Sequence, residues 1–281
     1  MPLGTGVSQP ANYFVQVGWL VWQSIAQLVR APSHTRCAEA RRALALRWLW
    51  LSVGVALVIG VLMFAIDVAV IKLMPPRGTA SLWPLRIFTD FAKSTYVLWV
   101  LAAGLVLIVL SVPRLNGVSR AILIGFGVRV QYIFFAVLVA VLTSEVLKYI
   151  VGRGRPFVGG EANAFNFKHF TESEAFASLP SGHAVTAFAL AFAVSSIWRK
   201  AGPFMWTFAV LICCSRVILL AHHPSDVVAG ALTGVIGAMF VRYWYAARRL
   251  GFTIDQNGVI IALTGRSLQG LKRVARDAAA P

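Results

Sequence analysis

The chain has 281 residues, 58% of them hydrophobic, and a mean hydropathy of +0.75. That excludes an ordinary soluble domain: apolar runs of about 15–20 residues recur, close to what a ~30 Å hydrocarbon core requires, so the chain reads as an integral helical membrane protein. The formal net charge is +16, from 26 Lys and Arg against 10 Asp and Glu; with no soluble module on which basic residues collect, it reads as positive-inside topology and attraction to anionic headgroups, with no nucleic-acid partner.

In chain order, residues 1–46 precede the first long apolar run and show no basic n-region with a cleavage site, so no cleaved signal peptide is expected. Asn12, Gln16, Gln23 and Gln27 share one helical face, opposite Phe14, Val17, Val21, Ile25 and Leu28. This spacing predicts an uncharged amphipathic helix, either lying on the membrane or packed as an accessory helix. Arg30, Arg36, Arg41, Arg42 and Arg47 form a basic approach to the first span. Spans are predicted over residues 48–71, 96–112, 130–147, 184–198, 204–221 and 227–241. Asp67 lies near the far end of the first. Residues 81–93 read as an interfacial helix. A long loop after the third span carries Arg153, Arg155, Lys168, His169, Glu172 and Glu174, and long ordered loops are more often functional than connecting. Gly230, Gly234 and Ala238 have the small-residue spacing of a close helix contact. In the basic tail, Asp255-Gln256-Asn257-Gly258 is expected as a turn and residues 267–278 as a short amphipathic helix. Cys37, Cys213 and Cys214 are odd in number and lack metal-like spacing; the adjacent Cys213 and Cys214 read as packing residues.

The expected fold is thus an all-α integral membrane protein, six transmembrane helices in a bundle with interfacial helices. It divides into a basic, amphipathic cytoplasmic segment (1–46), a membrane domain (47–247, with its motif core at 130–245) and a basic cytoplasmic tail (248–281). Six spans put both termini on one side, and about two-thirds of the cations fall there, so the positive-inside rule places the termini in the cytoplasm.

Three motifs then meet on the opposite, outer face. The first is Lys148-Tyr149-Ile150-Val151-Gly152-Arg153-Gly154-Arg155-Pro156, at the end of the third span. The second is Pro180-Ser181-Gly182-His183, opening the fourth. The third runs from Ser215-Arg216 to His222 and Asp226, between the fifth and sixth. An arginine in an apolar run is a functional-site hypothesis by default. Lys148, Arg155 and Arg216 suit a phosphate: Arg offers bidentate bonds and Lys a point charge. Ser181, Gly182 and His183 would sit at a helix N-terminus, where free N–H groups favour an anion and glycine permits close approach. His222 would attack phosphorus, Asp226 would accept a bond from its ring, and His183 would protonate the leaving oxygen and then activate water. No metal is required, because phosphoryl transfer is catalysed mainly by positioning and electrostatics.

These motifs resemble the signature of the type 2 phosphatidic acid phosphatase superfamily: Lys, six residues, Arg-Pro; Pro-Ser-Gly-His; and Ser-Arg, five residues, His, three residues, Asp. The match falls on Lys148, Arg155 and Pro156, on Pro180 to His183, and on Ser215, Arg216, His222 and Asp226. The resemblance implies a six-helix membrane fold and dephosphorylation of a lipid without metal or other cofactor. It also implies His222 as nucleophile and His183 as acid. His223 stands where an aromatic is common in that family.

Taken singly, each residue has a plainer reading. Lys148 could be a snorkelling cation, Ser181 an N-cap, Asp226 an acid favoured by a helix dipole, and His183 an interfacial histidine. Glu145 reads as a helix partner of Lys148, His223 as a structural residue, and His169, Glu172 and Glu174 as loop surface. Arg153 reads as a solvated cation or a contact to a second phosphate or headgroup. The functional expectation is a lipid phosphatase of the bacterial inner membrane, acting at the outer face on undecaprenyl pyrophosphate, phosphatidylglycerol phosphate, phosphatidate or a lipid A phosphate. A transporter or flippase is the alternative, but would spread its ionisable groups through both halves of the membrane. A vanadium-dependent haloperoxidase shares the signature but is soluble.

Overall fold

The computed structural model describes residues 12–263. Helix α1 (Tyr13–Val29) starts where the Asn12 side chain accepts a bond from the Phe14 N–H. Gln23, Ser24 and Gln27 face a cavity against residues of the 105–131 region, while Phe14, Trp22 and Val29 are exposed. Trp19, Val21 and Ile25 line the same cavity and Leu28 packs on the core, so both faces of the helix meet the protein. It is tied down by bonds from the Tyr13 hydroxyl to the Leu110 carbonyl and from the Trp244 indole to the Leu28 carbonyl.

Helix α2 (Cys37–Val61) begins earlier than the apolar run suggested. It passes through a π-helical turn, Leu62–Ile66, into α3 (Asp67–Leu73). The Asp67 N–H reaches back five residues to the Leu62 carbonyl. The extra residue in a π turn shifts the helical register, and Asp67 ends fully buried. Helix α4 (Trp83–Asp90) buries Thr89 and exposes Trp83 and Ile87. Helices α5 (Ser94–Ser111) and α6 (Gly117–Val151) follow; α6 is 35 residues long, so the predicted third span is only its inner part. Helices α7 (Gly182–Ile197), α8 (Gly202–Ile218) and α9 (Pro224–Ala247) complete the bundle. Five stretches among the described residues, 37–73, 80–114, 117–151, 199–218 and 224–247, are long and apolar enough to cross a membrane; α7 is apolar but shorter.

The core lies where α6, α7 and α9 meet. Lipid tails are as apolar as leucine, so helices in lipid gain by close backbone approach, which small residues permit. A side chain at Gly230 would lie 2.6 Å from the Ser181 carbonyl oxygen, and one at Gly237 2.9 Å from Ala140. Ala136, Ala140, Val185, Ala189 and Ala238 fill the same interface. The expected contact at Gly230, Gly234 and Ala238 is therefore real, and it brings α9 against the start of α7.

The fold is not purely helical. Strands β1 (Phe252–Ile254) and β2 (Ile260–Ala262) form an antiparallel hairpin. Its turn is the expected one: the Asp255 carboxylate accepts from the N–H groups of Asn257 and Val259, both at 2.8 Å. Phe252 and Ile254 are buried in the core, with the Phe252 ring 4.8 Å from that of Tyr132. The region expected as a basic tail thus begins as folded structure. The helix expected over 267–278 lies outside the described residues.

Candidate active site

Helix α6 ends at Gly152, whose φ of +57° suits glycine, and where any Cβ would collide with the Lys168 carbonyl. The first motif leaves the helix extended and is pinned by the loop that follows it. Gly154 N–H donates to the Asn166 carbonyl, Arg155 N–H to the Ala175 carbonyl, and Ser178 N–H to the Arg153 carbonyl. The second motif is tied to the third by the Ser181 N–H, which donates to the Asp226 carbonyl at 3.0 Å. After α8 the chain turns through Leu220, a non-glycine residue at φ +53°. The Arg77 guanidinium holds that turn, donating to the Leu220 carbonyl at 2.7 and 3.0 Å and to the Pro156 carbonyl at 2.9 Å. Pro224 then opens α9, where its missing N–H costs nothing.

These connections bring Lys148, Arg155, Gly182, His183, Arg216 and His222 onto one cavity of about 350 Å³. Ser181 and Asp226 are buried behind it. A side chain at Gly182 would meet the Lys148 ammonium at 3.2 Å, so glycine here leaves the cation its place. Lys148 pairs with Glu145 at 2.6 Å, as expected. The Nε groups of Arg155 and Arg216 are buried and lack a hydrogen-bond partner among the described residues. Among the described residues, the one hydrogen bond from the Arg216 guanidinium goes to the Thr89 hydroxyl, at 3.4 Å. Fixed guanidinium donors left open around a cavity make a site for an oxyanion.

His222 is oriented differently from the expectation. Its Nδ1 donates to the Ser178 carbonyl at 2.8 Å, while the Asp226 carboxylate lies 3.9 Å away, too far for a hydrogen bond. The reason is that Asp226 is already occupied. It accepts from Arg153 at 2.5 Å, from the Ser178 hydroxyl at 2.6 Å, and from the His223 N–H and ring at 2.8 and 3.2 Å. A carbonyl can only accept, so Nδ1 carries the proton and Nε2 keeps its lone pair. Asp226 acts through Ser178 and through its charge. Burial, opposed by the Asp226 carboxylate and reinforced by Arg216, Arg155 and His183, holds His222 well below the usual histidine range, so it is neutral at pH 7.

Arg153 corrects the sequence reading outright. It is neither solvated nor aimed at a phosphate, but fully buried. Its guanidinium donates to Asp67 at 2.8 Å, to Asp226, to the Ser225 hydroxyl at 2.6 Å and to the Ala164 carbonyl. Asp67 in turn accepts from the Ser225 N–H at 3.0 Å and from the Ser225 hydroxyl. One cation between two carboxylates links the first span, the first motif and the third. His223 is buried at the α9 N-cap, braced on Asp226. His169, Glu172 and Glu174 are exposed.

Sequence reasoning thus missed Asp67, Arg77 and Ser178. An acid inside an apolar run was a signal for Asp67. Arg77 and Ser178 act through backbone carbonyls, which no motif encodes.

The PAP2 superfamily profile matches residues 129–250. The lipid A 1-phosphatase of Rhizobium johnstonii is 32% identical over 45% of this chain and 52% of its own length. The bacitracin transport permease protein BcrC of Bacillus licheniformis is 30% identical over 54% and 68%, and the undecaprenyl-diphosphatase of Sulfolobus acidocaldarius 30% over 68% and 84%. The match spans about half the length of the lipid A 1-phosphatases. No solved structure shows a significant match. With the three motifs gathered on one cavity and relatives aligned across most of their length, the chain belongs to the PAP2 superfamily.

Proposed function

We propose that this chain is an integral membrane lipid phosphatase, hydrolysing the phosphomonoester or pyrophosphate of a membrane lipid through a phosphohistidine intermediate. Lys148, Arg155 and Arg216 neutralise the transferring phosphoryl group, aided by N–H groups at the α7 N-terminus beside Ser181 and Gly182. His222 Nε2 attacks phosphorus as the bond to the leaving oxygen breaks, and His183 protonates that oxygen. His183 then takes a proton from water, which attacks the phosphohistidine and releases orthophosphate. Asp226 keeps Ser178 and the α9 N-terminus in place behind the nucleophile. No step calls for a metal.

The single observation that carries this reading is the shared cavity lined by Lys148, Arg155, Gly182, His183, Arg216 and His222. Relatives named for lipid A and undecaprenyl diphosphate support an envelope lipid as substrate. In this reading α7 is a sixth crossing. Its 16 residues span about 24 Å at 1.5 Å each, and it starts inside the site, below the membrane surface. Helices α1 and α4 lie at the interfaces, residues 1–46 and 248–281 are cytoplasmic, and the site opens to the periplasmic face of a bacterial inner membrane.

Purified protein in detergent should release phosphate from such lipids in EDTA, and vanadate should inhibit it. His222→Ala should lower kcat at least ~1,000-fold, and radiolabelled phosphate should be trapped on His222. Full activity in His222→Gln would sink the assignment. A transporter would move lipid without releasing phosphate, so the same assay separates the two.

A further inference from the structure

A second cavity, of about 530 Å³, separates α1 from α5 and α6. Val112 and Arg120, where α5 passes into α6, line it, whereas Ser94 and Lys148, at the other ends of the same two helices, line the catalytic cavity. Arg120 and Lys148 lie about eight turns apart on one helix, roughly 40 Å. We infer that this second cavity binds an anionic phospholipid of the leaflet opposite the active site, with its phosphate at Arg120 and an acyl chain between α1 and α5. The site is independent of the phosphatase reading above.

The first support is how α1 sits. No residue of this 17-residue helix is buried. It is held near its two ends, by the Tyr13 hydroxyl on the Leu110 carbonyl and by the Trp244 indole on the Leu28 carbonyl. Between these points it stands off over the cavity. Trp19, Val21 and Ile25 line that space and are still exposed, so the cavity is open on one side. Leu105, Ile108, Val109 and Ile124 face them. Apolar walls with nothing between them forfeit their dispersion contacts, and the volume falls in the range of about 300–1,000 Å³ usual for ligand pockets. An acyl chain fills such a space and brings no polar group into it.

The polar lining is the second support. Gln23, Ser24 and Gln27 on α1 and Gln131 on α6 border the same cavity, and none of these four side chains makes a hydrogen bond among the described residues. Serines elsewhere in the bundle bond the carbonyl four residues back, as Ser111 does to Leu107 and Ser195 to Ala191. Ser24 does not. Amides and a hydroxyl can donate to the ester carbonyls and phosphate oxygens of a phospholipid, which are acceptors only.

Charge selects an anionic headgroup. No Asp or Glu occurs over residues 12–38 or 94–144, the sequence around the cavity. Arg114 there donates to the Leu110 carbonyl and the Tyr13 hydroxyl, and Arg129 to the Gly125 and Leu263 carbonyls. These neutral acceptors leave the positive charge of both in place. Arg120 itself borders the cavity near the start of α6, a helix with no side-chain cap and no acid in its first turn. A phosphate there would meet a guanidinium and free N–H groups together. Basic residues clustered at a membrane surface favour anionic lipid over neutral lipid.

The test uses full-length, delipidated protein in detergent and native mass spectrometry, with phosphatidylglycerol, phosphatidylcholine and chainless glycerol phosphate as probes. One phosphatidylglycerol should be held per chain in preference to phosphatidylcholine, and glycerol phosphate should not displace it. Gln23→Leu/Gln27→Leu should weaken that binding about 10- to 100-fold, the usual effect of lost hydrogen bonds to a charged group. Ser24→Trp, which fills the cavity, should abolish it. Benzoylphenylalanine in place of Trp19 should cross-link to phosphatidylglycerol on illumination, a readout that holds even where the other variants unfold. Equal retention of the two phospholipids overturns the anionic site. Wild-type binding in folded variants places the lipid elsewhere and overturns it too. So does a cross-link from position 19 to the chain's own residues, which would make the occupant a segment of this protein. Phosphate release is not the readout, so each of these failures leaves the phosphatase reading standing.

Discussion

The first half of the chain, α1 to α5, and the second, α6 to α9, are both built of apolar helices and differ in what they do. The 37–73 stretch is the more apolar, yet little of it is buried; α9 is less apolar and more than half buried. The more hydrophobic helix is the more peripheral one. Hydropathy in a membrane protein reports contact with lipid, whereas the centre can use glycine, alanine and paired polar groups. The second half holds every signature residue. The first half contributes Asp67 and Arg77, which brace it from outside the matched region.

The strongest way to break this comparison is to remove that brace. Asp67→Ala leaves Arg153 with less compensation in a fully buried site. Breaking such a pair costs about 3–5 kcal/mol, so the thermal midpoint in detergent should drop steeply and activity with it. An unchanged midpoint would make the first half mere lipid-facing cladding. A matched glycine pair is the next test. Gly230→Ala pushes a methyl against the Ser181 carbonyl, while Gly104→Ala on α5 meets nothing within 4 Å. The first should destabilise by about 1–3 kcal/mol. The second should be neutral or stabilising by up to about 1 kcal/mol, from helix propensity. Equal effects would mean that the two helices are equally packed.

The smallest expected effect is on pH dependence. His222 is depressed in the folded state, so as pH falls the unfolded chain binds that proton first. Its contribution to stability is fully present above about 6.5, the ordinary histidine value, and declines as pH drops toward the folded value. The acid limb of kcat should likewise lie well below that value. Arg155→Gln removes a cation that pushes His222 down, so the limb should move to higher pH. A limb that stays put would show that Arg155 exerts no field on His222.

Much of this was legible from residue types alone. Apolar runs located the helices, because hydrocarbon demands continuous apolar surface. Three short motifs pointed to an oxyanion site, because oxyanions demand cations and free N–H groups wherever they bind. The turn at Asp255 was legible from its side chain's local bonding. What the sequence could not determine was which polar atom each buried group would find. Arg153 read as a solvated cation because nothing local distinguishes it from Arg155, two residues on; one faces a pair of carboxylates and the other a cavity. Asp226 read as the partner of His222, but four other donors fill its oxygens, and the Ser178 carbonyl takes that place. Residue identity sets which interactions a side chain is able to make. In a buried site only the packed arrangement sets which it does make, because each donor and acceptor is spent on the nearest partner that the fold supplies.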